Sequence, residues 1–65
     1  MRLAAKVQRA RKQAKLNPYQ LAERSGLNSA TIYNIESGKQ PSVTAPTAQK
    51  LASVSDVRAA YLLGV

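Results

Sequence analysis

Between Leu16 and Lys39 the chain states one design twice: Leu16-Asn17 opens one short segment and Leu27-Asn28 opens the next. An Asn at a helix N-cap accepts hydrogen bonds from the first free N–H groups of that helix. In each half an apolar residue precedes the cap and another stands at N4, Leu16 with Leu21 and Leu27 with Ile32. That is the spacing of a hydrophobic staple, which fixes the angle at which the chain enters a helix. Gly26, between the halves, supplies the left-handed conformation that ends the first helix at little cost. The stretch therefore reads as helix, sharp turn, helix, over about residues 18 to 25 and 29 to 37, with Gly38 closing the second. Pro18 fits N1, where a missing N–H is harmless, and Gln20 at N3 is placed to complete a capping box with Asn17.

Composition limits what this unit can belong to. Sixty-five residues make one small domain over 1–65, near the lower end of what folds without disulfides or metal. The chain has no Cys and no His, and its three acids are Glu23, Glu36 and Asp56. Thiolate metal sites and most base–nucleophile sets cannot be assembled, so the reading is a non-enzyme with no cofactor and no metal. No apolar run approaches the roughly 18 residues of a membrane span, and the N-terminus lacks a signal peptide's apolar core. The expectation is a soluble intracellular protein.

Charge then points to a partner. Ten Lys and Arg against three acids give a formal net charge of +7, which favours a polyanion. Arg2, Lys6, Arg9, Arg11, Lys12 and Lys15 crowd the first fifteen residues with no acid among them. A solvated basic face is the bland reading of such a run, and an anionic membrane surface a rival one. The segment offers mostly Ala and Val where an amphipathic anchor needs large apolar residues, so nucleic acid is preferred.

The remaining helices follow from periodicity. Leu3, Val7, Ala10 and Ala14 form a narrow apolar stripe on a first helix over residues 3 to 14, with Arg11 at its edge. After a KQPSVT loop, a fourth helix is expected over about Pro46 to Ser53, capped by Thr44 or Ala45, with Ala48, Leu51 and Ala52 inward. Ser55 is read as the cap of a last helix, about Asp56 to Leu63, with Asp56 in its first turn. Tyr61 and Leu62, with Val65 nearby, either cap the core or form a dimer seam.

Two features of the third helix carry function. With Ile32 and Ile35 buried, Ser29, Ala30, Tyr33, Asn34 and Ser37 fall outside the buried arc at about 100° per residue. That face has no charge, so solubility alone does not explain it, and its hydroxyl, methyl, phenol and amide groups suit base edges. Glu36, in the last turn, opposes the helix macrodipole and needs a cation. Arg11 is the candidate, as a bidentate structural ion pair tying the first helix to the end of the third.

The segment QLAERSGLNSATIYNIESGKQPS, with Leu21-Ala22, Gly26, Ile32, Ile35-Glu36 and Gly38-Lys39, resembles the lambda-repressor/Cro-type helix–turn–helix family. The final YLLG is similar to that family's last helix, whereas Ala45 and Pro46 stand where it has large apolar residues. The resemblance implies an all-α five-helix bundle, a lambda repressor-like DNA-binding domain with helix–turn–helix at helices 2 and 3 and the third helix in the major groove. Carried over by position, Ser29, Ala30 and Asn34 face base edges, with Thr31 and Tyr33 nearer the backbone or flanking bases. Lys39, the start of helix 2, and Gln13 or Lys12 meet phosphates. Family members often have Gln at the first position of helix 2, and here Pro18 leaves that contact to Tyr19 or Gln20.

The function implied is sequence-specific binding of double-stranded DNA by a small transcriptional regulator, a repressor acting by operator occlusion, of phage, plasmid or bacterial origin. One such domain makes few base contacts, so a homodimer on a palindromic operator is expected. Its place is the bacterial cytoplasm, associated with the nucleoid. The alternative is a protein-interaction module, such as an antitoxin or the DNA-binding piece of a longer regulator, with helix 5 docking a protein partner.

Overall fold

A computed structural model describes residues 2–55 and 57–64. These described residues form five helices, α1 (Leu3–Gln13), α2 (Pro18–Ser25), α3 (Ser29–Glu36), α4 (Ala45–Val54) and α5 (Ala59–Leu63). The described residues contain no strand. The expectations for Asp56 and Val65 fall outside the described residues.

The two joints before α3 are built alike. At the end of α1 the Lys15 N–H donates to the Lys12 carbonyl (3.0 Å) and the Leu16 N–H to the Arg11 carbonyl (3.1 Å). At the end of α2 the Gly26 N–H donates to Glu23 (3.4 Å) and the Leu27 N–H to Ala22 (2.9 Å). Both are the paired 6→1 and 5→2 bonds of a Schellman motif, which requires a left-handed residue at C′. An Asn cap follows each joint. The Asn17 Oδ1 accepts from the Gln20 N–H (2.8 Å) while the Gln20 Oε1 accepts from the Asn17 N–H (2.9 Å). The Asn28 Oδ1 accepts from the Ala30 N–H (2.9 Å).

One residue in this repeat is unexpected. Gly26 holds φ 74°, but the equivalent position in the first joint is Lys15, at φ 60°. A left-handed L-residue costs roughly 1–2 kcal/mol, and Gly loses roughly 0.5–1 kcal/mol more chain entropy on folding. Lys15→Gly is therefore expected to stabilise the protein by about 0.5–1 kcal/mol, raising its melting temperature by several degrees. A lower melting temperature would show that the Lys15 stem makes packing contacts worth more than the strain.

The core forms where the inner faces meet. Val7 of α1, Leu21 and Ala22 of α2, Ile32 and Ile35 of α3, and Ala48 and Leu51 of α4 are each 3 % exposed or less. α3 packs on α2 and α1, α4 on α2 and α5, and α5 also reaches α1. Leu16 is buried between α1 and α2, and Leu27 packs against the core from the second joint. Both staples thus close onto one cluster, and α3 is held from two sides.

The C-terminal third departs from the sequence reading. α4 begins at Ala45 with Thr44 as its N-cap residue, and the Thr44 hydroxyl pairs with that of Thr47 (3.2 Å) rather than with a backbone amide. Ala45 and Pro46 are exposed, so the packing of α4 falls to Ala48 and Leu51. Ser55 does not cap the last helix. Its hydroxyl donates back to the Leu51 carbonyl (2.8 Å), closing α4, and α5 begins only after Arg58. The start of α5 at Ala59, later than the expected Asp56, sets which residues face in. Leu62 is 5 % exposed and belongs to the core, with Val57 and Ala59 packed beside it, while Ala60, Tyr61 and Leu63 are exposed.

Candidate nucleic-acid interface

α3 contains no Lys or Arg, and its one charged residue, Glu36, is tied down. Arg11 Nε donates to Glu36 Oε2 (2.8 Å) and Arg11 Nη2 to Glu36 Oε1 (3.0 Å), a bidentate pair between α1 and the end of α3. Arg11 Nη1 also donates to the Leu16 carbonyl (2.8 Å), so the same guanidinium braces the α1–α2 joint. Gln8 Nε2 adds a bond to the Glu36 carbonyl (2.9 Å), satisfying one of the acceptors that a helix C-terminus leaves open. The role of Gln8 escaped the sequence reading. The signal available was its place one turn before Arg11, on the same face of α1.

With its inner residues fixed, the outward face of α3 is determined. Ala30, Tyr33, Asn34 and Ser37 are exposed, and Ser29 and Thr31 are half-buried on its flanks. The Asn34 carbonyl accepts from the Gln40 N–H (3.0 Å) and from the Ser37 hydroxyl (3.2 Å), which leads the chain sharply away from α3. Its side-chain amide has no partner among the described residues. Gly38, at φ 86°, then allows the turn that leaves Lys39 exposed just past the helix.

The Tyr33 ring meets Tyr19 of α2 edge-on, with centroids 5.9 Å apart and an interplanar angle of 77°. This contact was not anticipated, since it depends on the crossing of α2 and α3. It joins a residue read as a phosphate contact to one read as lying near bases. Gln20 stands beside Tyr19 with its oxygen engaged in the capping box, which leaves its amide N–H groups for another acceptor.

The basic run divides into two kinds. Arg11 is internal to the ion pair, and Lys6 Nζ donates to the Tyr61 carbonyl (2.8 Å) while lying 4.8 Å from the Tyr61 ring centroid. Arg2, Arg9, Lys12 and Lys15 are exposed, as is Gln13. Arg9, Lys12 and Gln13 lie together on the open outer face of α1. The dimer seam drawn from the sequence needs correction at Leu62, whose side chain lies in the core of its own chain. Among the described residues, the large apolar side chains exposed at that end are Tyr61 (40 %) and Leu63 (38 %).

Among the described residues no group of three His, Cys, Asp or Glu side chains comes together. No described helix is long and apolar enough to cross a membrane.

A family model described as helix-turn-helix matches residues 7–62. A chain from the structure of a SinR protein/SinI protein complex superposes with a TM-score of 0.86 over 94 % of this chain, at 24 % identity. The match spans 59 % of that chain, and likeness at this identity concerns the fold alone. None of the curated proteins compared matches the sequence.

Proposed function

The chain belongs to the lambda-repressor/Cro-type helix–turn–helix family of DNA-binding regulators, and from that premise we propose that it represses transcription by occupying a palindromic operator as a homodimer. The observation that carries this reading is the uncharged, outward face of a helix that is clamped at both ends. Asn28 caps its start, and Arg11 and Gln8 hold its finish. A face held this rigidly presents Ala30, Tyr33 and Asn34 to a groove in one orientation, with Ser29 and Thr31 at its flanks. Lys39, Lys12 and Gln13, together with Tyr19 and the free amide of Gln20, are assigned to phosphates on either side. Phosphate contacts set register, and base contacts set sequence. A protomer reads too few base pairs to find a rare site, so two copies one helical turn apart supply the rest. Bound over a promoter, such a dimer excludes polymerase.

Selection from random duplexes at physiological salt tests the reading, and enrichment of a palindrome is the expected result. On the selected site Asn34→Ala should lose about 1–3 kcal/mol and relax preference at one base pair, as removal of a bidentate contact does. Lys39→Ala should weaken specific and random DNA alike. Equal losses on both DNAs for Asn34→Ala would remove it from the base-reading set.

A second reading is favoured by a separate observation. Leu63 borders a shallow groove with Arg2, Pro41 and Val43, beside exposed Tyr61, at the end of the bundle formed by α1 and α5. The matched structure is of a complex between two proteins. In this reading the chain is the DNA-binding piece of a longer regulator, or an antitoxin-like module, and this end docks a protein. Binding of a protein partner that is lost in Leu63→Ser, while the melting curve of the variant is unchanged, would favour it.

A further inference from the structure

The face of α3 holds more than an amide. Ala30, Tyr33 and Asn34 are neighbours by the i, i+3 and i+4 geometry of a helix, and all three are exposed. The Ala30 methyl is therefore the shared neighbour of the Tyr33 ring and of the free Asn34 amide, one to each side of it. Tyr33 is 47 % exposed and Tyr19 is 64 % exposed, the two largest exposures among the big hydrophobic side chains of the described residues. They stand against each other, and neither phenol has a hydrogen-bond partner among the described residues.

Closing the α2–α3 joint does not explain this pair. Leu16, Leu21 and Ile32, each 7 % exposed or less, already seal the joint from inside. What the Tyr19 contact does is restrict Tyr33. An isolated surface tyrosine samples several rotamers, whereas one met edge-on at 5.9 Å is held in place. Side chains ordered before binding lose less entropy on binding.

The major groove offers one apolar group on its floor, the C5-methyl of thymine. An Asn amide pairs with the N6 and N7 of adenine, so an apolar surface beside Asn34 is placed for a thymine in the same or the adjacent base pair. We propose that Tyr33, held by Tyr19 and flanked by Ala30, is a specificity-determining residue that reads a thymine methyl group next to the base pair contacted by Asn34. The inference rests on the DNA-binding reading above and gives it content: an A·T-containing half-site, with part of its discrimination carried by contacts that salt does not screen. The net charge of +7 supplies attraction to any duplex, and the uncharged face of α3 supplies the choice.

The test uses the site obtained by selection. Each thymine is replaced in turn by deoxyuridine, which removes the methyl and keeps every hydrogen-bonding group. Affinity is then measured for the wild type, Tyr33→Ala and Tyr19→Ala. Both tyrosines lie at the surface, and melting curves verify that the variants fold. For the wild type, at least one position per half-site should bind about four-fold more weakly as uridine, the value of one buried methyl. Tyr33→Ala should bind the thymine duplex more weakly and no longer distinguish uridine at that position. Tyr19→Ala, with Tyr33 intact but unrestrained, should show a reduced thymine-to-uridine ratio. An enriched site bound equally with thymine or uridine overturns this inference and leaves the DNA-binding reading standing. So does methyl discrimination that survives in Tyr33→Ala. Failure to enrich any sequence overturns both.

Discussion

Arg11→Met is expected to lower the unfolding free energy by about 3 kcal/mol, a large share of the roughly 3–10 kcal/mol available to a chain of this size. The substitution removes two bonds to Glu36 and one to the Leu16 carbonyl, all between 2.8 and 3.0 Å. It also strands a carboxylate that is only 10 % exposed, in the last turn of a helix whose dipole opposes it. Removing one partner of a buried pair costs about 3–5 kcal/mol, and the residual water access to Glu36 argues for the lower end. The melting temperature should fall by on the order of 15 °C. Glu36→Gln keeps the shape and one acceptor, so about 1–2 kcal/mol is expected. The double variant should lose less than the sum of the two, by 1 kcal/mol or more, because neither charge is then left alone. Strictly additive losses would show that the pair contributes no coupling. Arg11 braces the α1–α2 joint and the end of α3 together. Its loss should therefore also weaken DNA binding under conditions where the variant remains folded.

The bounds of α2 and α3 were legible because local groups set them. An Asn followed by a free first turn is a cap wherever it stands, and Gly26 marks a left-handed residue without reference to the rest of the fold. The Arg11–Glu36 contact follows from similar logic, since a carboxylate in a last helical turn calls for a cation on a neighbouring helix. Ser55 shows where such reasoning stops. A serine hydroxyl can accept from amides ahead of it or donate to a carbonyl four residues behind, and here it does the second. With the start of α5 placed three residues early, periodicity left Leu62 open between the core and a dimer seam, and in the structure it lies in the core. The Tyr19–Tyr33 contact was illegible for another reason. No cap or period encodes it, and it exists only because two staples set the angle between α2 and α3. The outward face of α3 needed only the positions of Ile32 and Ile35. What lies across that face from a neighbouring helix needed the fold.

The affinity for the selected operator is expected to fall by about a thousand-fold between 50 and 200 mM salt. Of the ten Lys and Arg side chains, Arg11 and Lys6 are engaged within the protein and the other eight are exposed. Lys39 past α3 and Lys12 and Lys15 at the end of α1 flank the helix–turn–helix unit, giving about three phosphates per protomer and about six per dimer. Each phosphate neutralised contributes about −0.9 to the slope of log affinity against log salt, so a dimer gives about −5 and a lone protomer about half that. The slope therefore counts protomers on the DNA without a crystal of the complex. Lys39→Ala sharpens the count, since it should reduce the slope by about two units in a dimer and about one in a monomer. Tyr33→Ala should leave the slope unchanged while lowering affinity at every salt concentration, because a methyl contact releases no counterions. A slope near zero for the wild type would remove phosphate contact from the assignment of Lys12 and Lys39 altogether. The basic run would then be a solvated surface, and the exposed Tyr61 and Leu63 of α5 would become the first place to seek a partner.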